Sequence, residues 1–272
     1  MKTLYVTDLD GTLLDPEPKI TEYTADTINP LIAEGMYFTF ATARSFYSAI
    51  PITSAINVNV PCILMNGVSI YDIRNDRYVK NEFIAPSDSA EILRIFEKHG
   101  VHCFMYRIEE GSLIAYYSEL TTKVMQSFAE VRKHEYKKPF VQCRLADRAD
   151  ENTVYFTTTG AYEELLPVKL EFERIAGVDI AFYLDVYNDA WYLELFSHKA
   201  SKANAIRFIR EEYGFDKVVA FGDNLNDLPM FEQADTKVAV GNARDEVKAA
   251  ADYVIGTNSE DGVAEYLSGL FR

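Results

Sequence analysis

The chain has 272 residues, 48% of them apolar and 25% charged, the balance of a folded globular protein rather than a disordered one. Lysine and arginine total 27 against 42 aspartates and glutamates, so the formal net charge is −15 and nucleic acid polymers or anionic membrane surfaces are disfavoured as partners. The three cysteines, Cys62, Cys103 and Cys143, lie far apart and form no Cys-x-x-Cys pattern, which argues against a disulfide framework or a zinc site. No apolar run approaches membrane-spanning length and no signal peptide is recognisable, so the expected location is the cytoplasm.

The chain opens on a short apolar run, Leu4 to Thr7, that reads as a buried strand ended by Asp8-Leu9-Asp10-Gly11-Thr12. Thr21 to Glu34 has helical spacing, with Thr21 as N-cap, Ala25, Ile28, Leu31 and Ile32 on one face, and Pro30 as an expected kink. Met36 to Ala41 is a second strand, ended by Thr42-Ala43-Arg44 and followed by a short helix from Ser45. Pro61 to Met65 is a third, ended by Asn66-Gly67. Strands alternating with helices argue a parallel sheet. The rhythm then changes. Ser69–Asp72 and Tyr78–Phe83 read as a hairpin. A helix capped by Ser87 follows, then strands near 101–107 and 112–118, a helix near 121–134, a strand near 153–158, a helix near 161–176 and a strand near 179–187. The many aromatic residues of this stretch, Tyr187 among them, are expected in a core. From Trp191 the first rhythm returns, with strands at Tyr192–Phe196, Lys217–Phe221, Lys237–Val240 and 252–255. Helices separate them, the first capped by Ser201, another spanning Asn224–Ala234. The expected organisation is one α/β core formed by residues 1–84 and 190–272, with residues 85–189 inserted as an α+β lid.

The chemistry gathers where strands end. Asp8 and Asp10 would repel each other and lose hydration unless a cation sits with them, and magnesium suits carboxylate and carbonyl donors. Asp and Gly are also common turn residues, so a bare turn is the alternative. Gly222-Asp223-Asn224-Leu225-Asn226-Asp227 brings further carboxylates after another apolar strand; an Asp N-cap is the alternative there. Thr42-Ala43-Arg44 offers a hydroxyl and main-chain N–H groups at a helix start, an anion site, while Arg44 could equally form a salt bridge. Lys202 places positive charge in a helix first turn, against the dipole, which makes sense if acids or an anion face it. Lys199, before the cap, ranks second.

Asp8-Leu9-Asp10-Gly11-Thr12-Leu13, Thr42-Ala43-Arg44, Lys202 and Gly222-Asp223-x-x-x-Asp227, in that order, resemble the motifs of the haloacid dehalogenase (HAD) superfamily. The insertion between the second and third motifs resembles the Cof-type branch. The resemblance implies a Rossmann-like core with an inserted cap of the C2 type. It implies a phosphatase, with Asp8 as nucleophile and Asp10 as acid and base. Mg²⁺ would be held by Asp8, Asp10 (through its carbonyl) and Asp223. Leu9, Thr42, Ala43, Arg44, Lys202 and Asn226 would meet the phosphate, with Asn66, Gly67 and Asp227 in support. Relatives usually read Thr-Gly-Arg where this chain has Ala43, and Ala43 keeps its N–H for phosphate provided its φ is negative. The expected substrate is a small phosphorylated metabolite. A phosphomutase and a non-catalytic phosphometabolite sensor are the alternatives. The four histidines fit no motif of the family.

Overall fold

In the computed structural model, which describes residues 1–184 and 190–271, strand β1 (Thr3–Thr7) is the middle of the first sheet. Leu4 and Val6 are fully buried because parallel neighbours flank the strand on both sides. After it come helix α1 (Glu22–Ala33), β2 (Tyr37–Phe40), α2 (Phe46–Thr53), β3 (Cys62–Leu64), β4 (Ser69–Asp72) and β5 (Arg77–Asn81). Thr21 caps α1 by accepting from the Thr24 amide at 3.0 Å, and Pro30 sits inside that helix without ending it. The expected third strand, β3, is bridged to the parallel sheet at Ala41–Ile63 and pairs antiparallel with β4.

The chain continues through α3 (Pro86–Lys98), β6 (Phe104–Glu109), β7 (Ser112–Tyr117), α4 (Lys123–His134), β8 (Phe140–Gln142), β9 (Thr153–Gly160), α5 (Tyr162–Phe172), β10 (Val178–Leu184) and β11 (Trp191–Ser197). These strands form a second sheet in the order β10-β11-β9-β6-β7-β8, antiparallel except for β7 with β8. Ile92, Ile95 and Phe96 of α3 and Leu165, Val168 and Phe172 of α5 pack with Met105, Phe156, Leu193 and Leu195 into one core. Pro86 takes the first turn of α3, with Ala85 at the cap position rather than Ser87. The expected extension of β10 to 187, and Tyr187, lie outside the described residues.

The last part comprises α6 (Lys202–Tyr213), β12 (Lys217–Gly222), α7 (Leu228–Glu232), β13 (Thr236–Ala239), α8 (Asp245–Ala250), β14 (Tyr253–Val254) and α9 (Gly262–Leu270). The first sheet has the order β14-β13-β12-β1-β2, every pair parallel. Two units result, residues 1–80 with 200–272, and residues 81–199. Strand β11 was expected in the core. Its Leu195 pairs instead with Ile180 and Phe156, which makes it a strand of the second sheet. Cys62 and Cys103 are buried, Cys143 is half-buried, and all three are unpaired. Among the described residues no helix is long and apolar enough to cross a membrane.

Candidate active site

The register of the first sheet brings distant residues to one edge. Thr7 pairs with Phe221 on one side and Phe40 on the other. Asp8, Asp223 and Thr42 therefore all follow the carboxyl ends of adjacent strands, where open α/β sheets bind ligands. Main-chain bonds hold the three exits: Asp8 N–H to Phe221 O at 2.9 Å, Ala41 N–H to Thr7 O at 2.8 Å, and Thr42 N–H to Ile63 O at 2.9 Å.

Lys202 is the centre of the site. Ser201 caps α6 by accepting from the Asn204 amide at 2.9 Å, which sets Lys202 in the first turn. Its Nζ donates to Asp8 Oδ1 at 2.5 Å and to Asp227 Oδ1 at 2.7 Å, with all three side chains buried. Burial alone would lower the ammonium, but the Asp8 and Asp227 carboxylates outweigh it and hold Lys202 above its ordinary value. Burial also pushes the Asp8 carboxyl up; Lys202 opposes the shift, and Asp227 and Asp223 add to it. Lys199 is exposed, one residue outside this unit.

Asp227 spends both oxygens on the frame. Oδ1 accepts from Lys202, and Oδ2 accepts from the main-chain N–H groups of Asp223 and Asn224 at 3.0 and 3.1 Å. Asp223 is not an N-cap. Asn224 fills that position, and the Asp223 carboxylate instead accepts from Thr12 Oγ1 at 3.0 Å. Burial, then the charge of Asp227, push Asp223 up to about 6. Asp8, Asp223 and Asp227 each offer an oxygen, all within 4.8 Å of one another. Among the described residues nothing donates to the second oxygen of Asp8 or of Asp223. Two such hard donors, crowded and partly desolvated, fit a small divalent cation.

Asp10 stands apart from this cluster. Its carboxylate is exposed and accepts from Arg44 Nε at 2.7 Å and Nη2 at 2.6 Å. The carboxylates that converge are thus those of Asp8, Asp223 and Asp227; Asp10 has only its main-chain carbonyl to offer a metal. Arg44 makes the salt bridge that was one of its two readings. Thr42 is buried and its Oγ1 accepts from the Arg44 amide at 3.1 Å. Ala43 is exposed and keeps φ outside the left-handed region, so its Cβ strains nothing. Leu9 is fully buried, leaving its main chain as the part that can meet a ligand.

Met65, Asn66 and Gly67 all have positive φ, at 51°, 54° and 100°. This turn is tied back by Asn66 N–H to Thr42 O at 2.9 Å and Met65 N–H to Arg44 O at 3.0 Å. A side chain at Gly67 would strike the Ser201 carbonyl, at the cap of the helix that carries Lys202. Asn226 Nδ2 approaches Asn66 Oδ1 at 3.5 Å. The motifs did not assign Thr12 or Asn242, whose Nδ2 donates to Gly11 O at 2.7 Å. Asn242 follows β13 at the same edge, so its place after a strand was the available signal.

A fold of this kind, with an acid-lysine centre at the carboxyl edge of a parallel sheet, has known counterparts. The family model for haloacid dehalogenase-like hydrolases matches residues 5–267, and the chain belongs to that family. The chain is 25% identical over 267 residues to the pyridoxal phosphate phosphatase YbhA of Escherichia coli, covering 96% of this chain and 95% of the relative. It is 26% identical over 287 residues to the 5-amino-6-(5-phospho-D-ribitylamino)uracil phosphatase YitU of Bacillus subtilis, covering 98% and 97%. A solved structure from Thermotoga maritima superposes with a TM-score of 0.82 at 29% identity, covering 99% of this chain and 97% of that one.

Proposed function

We propose that this protein is a magnesium-dependent phosphatase that hydrolyses small phosphorylated metabolites through an aspartyl-phosphate on Asp8. The observation that carries this reading is the buried Asp8 carboxylate, gripped on one oxygen by Lys202 and, among the described residues, without a donor on the other, beside Asp223. Two relatives named for pyridoxal phosphate and for a phosphoribitylaminouracil support the size class of the substrate.

Asp8 and Asp223, with the Asp10 carbonyl, would hold Mg²⁺, which supplies positive charge against the phosphoryl group and the nucleophile. Asp8 attacks phosphorus, and the bond from phosphorus to the leaving oxygen breaks as Asp10 gives that oxygen a proton. Water then attacks the same phosphorus, Asp10 takes its proton, and the bond to Asp8 breaks, releasing inorganic phosphate. Arg44 must let go of Asp10 for the proton transfer, since its guanidinium occupies both carboxylate oxygens. Lys202 has three N–H donors and spends two on Asp8 and Asp227, so the third serves the transferring phosphoryl with Thr42, Asn226 and the Leu9 and Ala43 amides. Residues 81–199, inserted in the chain between Thr42 and Lys202, are the cap in this reading.

The test is phosphate release from pyridoxal phosphate, sugar phosphates, nucleotides and a generic aryl phosphate. Asp8→Asn is expected to lose on the order of 10³-fold or more in kcat with its melting curve preserved. Wild-type turnover in that variant would falsify the nucleophile assignment. An isomeric sugar phosphate formed in place of free phosphate would make the enzyme a mutase.

A further inference from the structure

We infer that Asn242 is a positioning residue for the proposed phosphatase reaction, holding the segment that carries Asp10 without touching substrate. The inference rests on that reading. The segment Leu9–Leu14 leaves β1 and has no strand partner, and Gly11 turns it with φ 79°. Within it Leu14 N–H donates to Leu9 O at 2.9 Å, and side chains from four later stretches of the chain hold it, Arg44 on the Asp10 carboxylate among them. Thr12 donates to Asp223 at 3.0 Å, Asn242 Nδ2 donates to Gly11 O at 2.7 Å, and Asn258 Nδ2 donates to Leu14 O at 2.8 Å.

Asn242 is the link among these. Its Oδ1 accepts from the Asn258 amide at 2.9 Å while its Nδ2 holds Gly11 O. Its own loop is fixed by Gly241 N–H to Gly256 O at 3.2 Å and Arg244 N–H to Asp223 O at 2.9 Å. The segment is thereby referenced to the same strand ends that carry Asp223. The Gly11 carbonyl belongs to the peptide that leads into Thr12, and Asp10 is the residue before Gly11. Rotation of that peptide would displace Asp10 on one side and the Thr12 contact to Asp223 on the other. The position needs a donor and an acceptor on one short side chain, which asparagine supplies and aspartate does not.

The decisive variant is Asn242→Asp. It keeps an acceptor for the Asn258 amide and turns an oxygen against the Gly11 carbonyl. Asn242→Ala removes both bonds without that repulsion and serves if the first variant folds poorly. The control is Asn59→Asp. Asn59 makes the same kind of double tie in the same unit, accepting from Phe38 N–H at 2.9 Å and donating to Met36 O at 2.8 Å, near the other end of β2. With an aryl phosphate, Asn242→Asp is expected to lower kcat by roughly 10- to 100-fold, the scale of a misplaced catalytic group. KM should stay within about twofold, and Tm should fall by about 2–4 °C, a fall shared by Asn59→Asp, whose kcat stays at wild type. Unchanged kcat in both Asn242 variants, or an equal kcat loss in the Asn59 control, overturns the inference while the phosphatase reading stands. Absence of phosphate release by the wild-type protein overturns that reading, and this inference with it.

Discussion

Lys202 faces two carboxylates in a place with almost no water, and the balance there is set by pairing. Lys202 and Asp227 are both nearly inaccessible, as is Asp8 at 6% exposure. Breaking a buried pair from one side leaves the other side charged and unsolvated, which costs about 3–5 kcal/mol. Lys202→Met therefore leaves Asp8 and Asp227 facing each other, and urea unfolding should show a loss of that size. Phosphate release should fall by on the order of 10²-fold or more, the scale of removing an oxyanion donor. A variant as stable as the wild type would mean that leaving the two carboxylates without their cation carries no such cost. Asp8, Asp223 and Lys202 were legible in the sequence because acids after apolar strands, and a lysine against a helix dipole, are local anomalies. The pairing of Asp10 with Arg44 was not. It depends on where β2 ends relative to β1, and 34 residues separate the partners.

The turn from Met65 to Gly67 shows how an element that carries no reacting group shapes the chemistry. Each left-handed residue without glycine's freedom costs on the order of 1–3 kcal/mol, and Met65 and Asn66 accept such φ values because Arg44 O and Thr42 O anchor their amides. Gly67 has no such latitude, since it also lies against the Ser201 carbonyl. Gly67→Ala should destabilise the protein by more than about 1 kcal/mol and push the start of α6, Lys202 with it, away from Asp8. Thermal melting and kcat measured together check this: a Tm loss with unaltered kcat would mean that α6 does not follow the turn. The Asn-Gly pair was readable as a turn, but its pressure on α6 was not, because helix and turn meet only in the folded sheet. Strand β11 failed as a core strand for a related reason. An apolar run such as Tyr192-Leu193-Glu194-Leu195-Phe196 announces a strand without naming its partner, and periodicity does not separate parallel from antiparallel pairing. The short, largely exposed β8 carried too little apolar pattern to be read at all.

At the scale of the whole molecule the sequence order poses a folding problem. Strand β1 pairs with β12, so Thr3 meets Lys217 and the intervening chain must be closed into one loop. Closure entropy grows slowly with loop length, yet native contacts of such separation still make folding slow. Residues 81–199 relieve this. They are one continuous stretch with its own apolar core, in which Phe156, Phe172, Leu193 and Leu195 are fully buried. A segment that folds by itself shortens the flexible part of the loop, so it should form first and β1 should find β12 afterwards. The protein carries its own reporter: its one tryptophan, Trp191, lies in this segment and packs against Phe182 and Tyr162. On refolding from urea, Trp191 fluorescence should recover before phosphate release does, since release needs Asp8 and Asp223 on adjacent strands. Phe156→Ala should cost this segment about 3–5 kcal/mol and delay both signals. If activity returned ahead of the fluorescence, or if Phe156→Ala slowed the fluorescence alone, the parallel sheet would assemble without waiting for the segment inserted into it.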